Sequence, residues 1–264
     1  METNEHARPG AREIQVVATP EELAYVAAET VVLRAADAIR DHGRFIVALS
    51  GGSTPDSLFH LLATSAFASR IDWQHVHVCW GDERCISPRD ARSNYRMACD
   101  AFLERVPIPT AHVHRMHGED APQAAAAAYE AELRELFNVH APHDDDFPAF
   151  DLILLGLGAD GHTASLFPDG TALREQRRWV VADYAKSVSM WRITLTLPLI
   201  NASHHVLFLV AGADKAEVVQ QIFIAPTHTV LLPAARVAPT RGVVRWILDS
   251  AAAATTPGSR ITSA

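Results

Sequence analysis

Phe45-Ile46-Val47-Ala48-Leu49-Ser50-Gly51-Gly52-Ser53-Thr54-Pro55 carries three structural instructions in one short run. Five consecutive apolar side chains leave no polar face, so 45–49 reads as a strand buried on both sides, as in a parallel sheet. Two glycines then allow a tight turn. Pro55 after two hydroxyl residues marks the entry to a helix expected from about Pro55 to Ala63. Strand, glycine turn and helix form the repeating unit of open α/β sheets.

The same pattern extends in both directions. Upstream, Thr19-Pro20-Glu21-Glu22 offers a capping hydroxyl, a first-turn proline and two acids that suit a helix dipole. The alanine-rich helix that follows is expected to run to about Asp41 and to stop at Gly43. Downstream, 75–80, 151–155 and 206–210 are further apolar strands. They end at Gly81-Asp82-Glu83-Arg84, at Gly156-Leu157-Gly158-Ala159-Asp160-Gly161-His162 and at Ala211-Gly212-Ala213-Asp214. Helices are expected over about 94–105, 121–137 and from Asp214 to Phe223, and Val243 to Ala252 reads as a last helix. The expected fold is α/β: a sandwich with a largely parallel sheet flanked by helices. A single domain is expected over 14–252. Residues 1–13 and 253–264 are expected to be flexible tails, and His140 to Phe147, with its Asp144-Asp145-Asp146 run, a solvated surface connection.

Composition narrows the function. The chain has 264 residues, a formal net charge of −8 and three cysteines. An acidic balance argues against nucleic-acid binding, where a basic face is expected. It leaves room for an anionic substrate in a locally basic pocket. No apolar run approaches the ~20 residues that cross a bilayer, and 1–12 lacks a signal-peptide core. A cytoplasmic protein with no membrane partner is expected. Cys79, Cys85 and Cys99 show no paired spacing, so they read as reduced, partly buried thiols. No His/Asp/Glu/Cys set has metal-ligand spacing, and no metal is expected.

Ligands of open α/β sheets bind at the carboxyl ends of the strands, and three polar, glycine-bearing loops follow strands here. Gly51, Gly52, Ser53 and Thr54 sit between a strand and a helix N-terminus, where backbone N–H groups and the helix dipole favour an anion. A plain capped turn is the alternative. The GxxxxGK[ST] pattern of a nucleotide loop is absent. In the second loop, Arg84 could grip a phosphate or a carboxylate, Asp82 could bind substrate, and Glu83 reads as part of an internal acid–arginine network. In the third, the GxGxxG lookalike at 156–161 lacks the long helix that a dinucleotide site needs, since Pro168 and Gly170 follow within two turns. Its Asp160-Gly161-His162 is the more informative part. An imidazole titrates near ~6.5 when unperturbed, which suits a general base. Among 14 histidines, His162 stands out by its loop and its neighbours, and Asp160 could orient the imidazole or bind a sugar hydroxyl.

Together these loops resemble the 6-phosphogluconolactonase family. The stretches that carry the resemblance are 48–55, 80–84 with 93–95, 155–168, Arg192-Ile193-Thr194-Leu195-Thr196, Gly212-Ala213-Asp214-Lys215-Ala216 and 232–235. They span roughly 14–252 and keep their order. The resemblance implies a Rossmann-like α/β fold with a smaller added subregion, and a cofactor-free hydrolase that opens 6-phospho-D-glucono-1,5-lactone in the oxidative pentose phosphate route. It implies His162 as the base, and a phosphate gathered by the 50–54 loop, Arg84 and a later Lys/Arg pair. That pair would be Lys186 and Arg192, although the family's prolines between such residues are missing here. The expected partner is the small sugar-phosphate lactone, and the state a monomer or small homo-oligomer.

Two other functions fit part of this pattern. Glucosamine-6-phosphate deaminases share the cradle and the Asp-Gly-His. They resemble proton shuttles with an extra acid soon after the histidine, and this chain has Phe167 at that place. They also usually read Asp-Glu-Tyr where this chain has Asp82-Glu83-Arg84. A non-enzymatic sugar-phosphate sensor would usually carry a partner module, and the chain is spent on one α/β body.

Overall fold

The computed structural model describes residues 12–139, 147–224 and 232–254. The 140–146 run and the tail beyond Ala254 lie outside them.

Strand β1 (Arg12–Val17) is followed by helix α1 (Pro20–His42). Thr19 caps α1 by accepting from Glu22 N–H, and Gly43 ends it in the left-handed region at φ 85°. Both devices were legible in the sequence. Strand β2 (Phe45–Leu49) leads to α2 (Ser53–Leu62), and a short α3 (Ser65–Ala68) precedes β3 (Val76–Trp80). The short strand β4 (Asp82–Arg84) comes next. Helix α4 (Asn94–Ala98) then widens into a π-turn at Cys99–Leu103, where one regular helix was expected. After α5 (Pro122–Leu136) come β5 (Leu152–Leu155), β6 (Val180–Ala185), β7 (Met190–Leu195), α6 (Leu197–Asn201), β8 (His205–Val210), α7 (Ala216–Ile224) and β9 (Val243–Asp249).

Among the described residues, six strands form a sheet in the order β1-β9-β8-β5-β2-β3, and every pair is parallel. The chain leaves β2 toward β3 and returns to its other side as β5. The gap between the ends of β2 and β5 is therefore a topological switch point, where a crevice opens. A smaller antiparallel sheet, β4-β7-β6, forms the added subregion. Gly81 joins the two: its N–H donates to Leu49 O at 2.8 Å and its C=O accepts from Leu195 N–H at 2.9 Å.

Three features differ from the sequence reading. Val243–Asp249 is a strand and not a helix, inserted between β1 and β8. With Trp246, Ile247 and Leu248 buried, it is covered on both faces and loses the alternation that would have marked it. Strand β1 begins at Arg12, inside the stretch expected to be a tail. The β6–β7 hairpin, whose outer residues are polar or half-exposed, gave no apolar signal. The cysteines match expectation: all three are free, with Cys79 buried and Cys85 and Cys99 half-buried.

Candidate active site

The loops after β2 and β5 meet β4 and β7 around one cavity of about 300 Å³. Gly51, Gly52, Ser53, Thr54, Asp82, Arg84, His162 and Arg192 all line it. Asn94, Thr163, Ser165, Phe167 and Lys215 line it too, and sequence reasoning had not singled them out as site residues. Lys215 could have been found, because it follows β8 in the same strand-then-glycine pattern. Lys186 is absent from the lining. It sits exposed in the 3-10 turn Lys186–Val188 at the tip of the β6–β7 hairpin.

One wall is the start of α2. Gly52 is its N-cap at φ 108°, a backbone state that L side chains rarely adopt, and no side chain caps the helix. The first-turn N–H groups of a helix have no intrahelical partners. Here they face the cavity side with the positive end of the dipole.

A second wall carries two arginines. Arg84 and Arg192 are cross-strand partners in the β4–β7 pair. Arg84 donates from Nη1 to Arg92 O. Its buried Nε has no partner, and neither do Nε and Nη1 of Arg192. Burial lowers the Arg192 pKa from its ordinary value, with the nearby Arg84 adding to the shift and Asp82 opposing it. A guanidinium still stays charged in proteins. Buried unsatisfied donors are costly and rare in native structures. Both arginines line the cavity, and guanidinium groups with spare donors beside a cavity suit an anion receptor. Lys215, paired with Asp214 Oδ2 at 2.9 Å, adds a third cation.

The adjacent acids are engaged. Glu83 is buried and accepts from Arg84 N–H (2.8 Å), Ser93 Oγ–H (2.9 Å), Asn94 N–H (2.9 Å) and Tyr95 N–H (2.8 Å). It thereby caps α4, and burial pushes its pKa up despite those donors. Asp82 Oδ2 accepts from Ser165 Oγ–H at 2.6 Å, and Asp82 Oδ1 from Asn94 Nδ2 at 3.3 Å.

The third wall is the 156–167 loop. Its backbone folds on itself through Gly158 N–H to His162 O (2.9 Å) and Gly161 N–H to Gly158 O (3.0 Å). Asp160 Oδ1 lies 2.5 Å from His162 Nδ1 and also accepts from the His162 N–H at 3.1 Å. Burial pushes the Asp160 carboxyl up, but the side-chain and backbone hydrogen bonds of His162 outweigh it and hold it below its ordinary value. An ionised carboxylate only accepts, so Nδ1 carries the hydrogen and Nε2 is left as the acceptor. The Phe167 ring stacks on the imidazole, with centroids 4.4 Å apart. The imidazole is thus fixed at one nitrogen and on one face, with its side chain 31% exposed toward the cavity.

Gly158 makes this packing possible. A Cβ there would lie 2.0 Å from His162 Nδ1 and 2.6 Å from Asp160 Oδ1.

Among the described residues, no group of three or more His, Cys, Asp or Glu side chains could hold a metal ion, and no helix is long and apolar enough to cross a membrane.

Comparison with known proteins follows the same lines. The family described as glucosamine-6-phosphate isomerases/6-phosphogluconolactonase matches residues 18–246. A 6-phosphogluconolactonase of Nostoc sp. is 40% identical over 238 residues, covering 89% of this chain and 95% of that protein. One of Synechocystis sp. is 44% identical over 223 residues, covering 84% and 89%. Among solved structures, a 6-phosphogluconolactonase from Trypanosoma cruzi superposes with a TM-score of 0.84 at 31% identity, covering 96% of this chain and all of that one. A monomeric glucosamine-6-phosphate deaminase shares the fold, with a TM-score of 0.75 at 20% identity.

Proposed function

The chain belongs to the glucosamine-6-phosphate isomerase/6-phosphogluconolactonase family, and from that premise we propose that it hydrolyses 6-phospho-D-glucono-1,5-lactone to 6-phospho-D-gluconate with His162 as general base. The observation that carries the reading is a single cavity lined by His162, whose Nδ1 is held by Asp160, and by two arginines with unpartnered donors.

Water between Nε2 and the lactone carbonyl gives its proton to Nε2 as its oxygen bonds to C1. The carbonyl π electrons move to oxygen, forming a tetrahedral oxyanion. The oxyanion collapses, the C1–ring oxygen bond breaks, and the Nε2 proton passes to the departing ring oxygen, which becomes the C5 hydroxyl. The new carboxylic acid ionises to water. Asp160 stabilises the imidazolium in between, while its hydrogen bond keeps Nε2 aimed at the reaction. A positioned base contributes ~10²–10⁴-fold, about 3–5.5 kcal/mol of barrier.

The phosphate is remote from the bond that breaks. The α2 N-terminus, Arg84, Arg192 and Lys215 bind it, and that binding energy places the carbonyl under the base. Phe167 puts an apolar ring beside His162, where the resemblance would lead a deaminase to carry a proton-shuttling acid. The fold, from residue 14 to 252, serves this as one catalytic domain.

The test compares phosphorylated and plain gluconolactone side by side, with spontaneous hydrolysis subtracted. Expected are enzyme-dependent opening with a strong preference for the phosphorylated lactone, and no ammonia from glucosamine 6-phosphate. Equal rates on both lactones, or ammonia release, would refute the proposal.

A further inference from the structure

Asp82 is the only acid among the described residues lining the cavity. The β4–β7 register sets Asp82 opposite Thr194 and Arg84 opposite Arg192. Alternation along the strands places these four side chains on one face. Asp82 and Arg192 are diagonal neighbours there, roughly 7–8 Å apart and within reach of a long side chain. A buried carboxylate beside a guanidinium with free N–H groups would ordinarily close a charge-assisted pair. This one has not: Arg192 Nε and Nη1 have no partner.

The reason lies in what holds Asp82. Ser165 Oγ–H occupies Oδ2 at 2.6 Å, and Asn94 Nδ2 reaches Oδ1 at 3.3 Å. Asn94 is itself fixed, donating from Nδ2 to Asp82 O (2.8 Å) and from its N–H to Glu83 (2.9 Å). Ser165 is fully buried, and its N–H donates to Thr194 Oγ1 at 3.2 Å. Ala164 just before it adopts φ 48°, a left-handed state costly for a residue with a Cβ. The chain bears that strain at the turn which aims the Ser165 hydroxyl at Asp82.

We infer that Ser165 is a positioning residue for phosphate recognition: its hydroxyl holds the Asp82 carboxylate away from Arg192 and keeps the guanidinium donors open for the substrate. The inference rests on the reading that Arg192 binds the phosphate. Without the hydroxyl, Oδ2 loses its shortest hydrogen bond and turns to the nearest free donors. Substrate must then displace a carboxylate from Arg192. The imidazole is untouched, since the loop around it is fixed by Thr163 Oγ1 to Gly156 O (2.9 Å) and Leu166 N–H to Thr163 O (2.9 Å).

The experiment is steady-state kinetics of Ser165→Ala on both lactones. The expected result is a KM for the phosphorylated lactone raised about tenfold or more, the scale of one charged hydrogen bond. Turnover should stay within about threefold, with kcat/KM on plain gluconolactone little changed. The double variant Ser165→Ala/Asp82→Asn should recover most of the KM, because an amide has no charge to pair with Arg192. Ser165→Cys, close in size and a weaker donor, should raise KM in the same direction but less, and it serves should the alanine variant not fold. Equal losses on both lactones would mean a merely structural role and overturn the inference. So would an unchanged KM, or a double variant no better than the single. Failure of the underlying reading would show separately, as a wild-type enzyme with no preference for the phosphorylated lactone.

Discussion

Gly158→Ala is the sharpest probe of the catalytic pair, because the atoms nearest the added methyl all belong to His162 and Asp160. Gly158 is not among the positive-φ glycines, so alanine fits its backbone without strain. The added methyl would stand 2.0 Å from His162 Nδ1, against about 3.4 Å for ordinary contact. The imidazole must therefore retreat by roughly 1.4 Å, and the Asp160 carboxylate, 2.6 Å from the same methyl, must move with it. A misplacement of about 1 Å at the reacting group can cost ~10²-fold. We expect kcat to fall about 10²-fold, equivalent to about 2.7 kcal/mol of barrier. Affinity for 6-phosphogluconate, measured by calorimetry, should stay within about threefold, since the phosphate is held on other walls. The rate assay must be fast enough to subtract spontaneous opening of the lactone. A variant that turns over within about threefold of wild type would refute the claim that His162 in this geometry is the base.

His162→Ala should lower kcat at least about 10²-fold with the melting temperature nearly unchanged, measured by the same assay and by circular dichroism. Arg192→Ala should weaken binding of the phosphorylated lactone far more than of plain gluconolactone; equal losses would remove Arg192 from the phosphate site. Lys186→Ala, on the exposed hairpin tip, should leave KM within about twofold, and a larger rise would bring that lysine back to the phosphate. Stability should fall as pH drops from about 6.5 toward 4. Burial, then His112 and His114, hold His77 down to about 4, and burial, then Arg34 and His204, do the same for His205. The unfolded chain thus takes up these protons first, so both contributions are present above about 6.5 and lost as pH falls through about 4. Denaturant titrations across that range should show a shallower loss in His77→Phe; an unchanged slope would count against it.

The parallel sheet was legible because 45–49 and 151–155 are short apolar runs ended by glycine, a pattern that local chemistry dictates. Strand β9 was not, because a strand buried on both faces and followed by Ala251–Ala254 has the composition of a helix as much as of a strand. For the site, loop position brought out His162, Asp160, Arg84 and the 51–54 turn. Arg192 came only through the family resemblance, since its place in the cavity depends on a cross-strand register with Arg84 that no local pattern records. Ser165 and Asn94 escaped for the same reason: their partners lie 83 and 12 residues away in sequence. Lys186 came through the same resemblance, and it stands in the exposed turn at 186–188, outside the cavity lining.

The division of the cavity between two sheets has a consequence of its own. His162 and its aspartate sit together on one self-bonded loop above the large sheet, while both arginines lie on the small one, joined to it at Gly81. A tilt of the small sheet would change how far the anion grip stands from the base, and Ser165, bonded to Asp82 and Thr194, would pass part of that motion to the loop that carries the base. The span between base and grip is thereby set by one joint: a lineage altering it could suit the enzyme to a shorter or longer phosphorylated lactone.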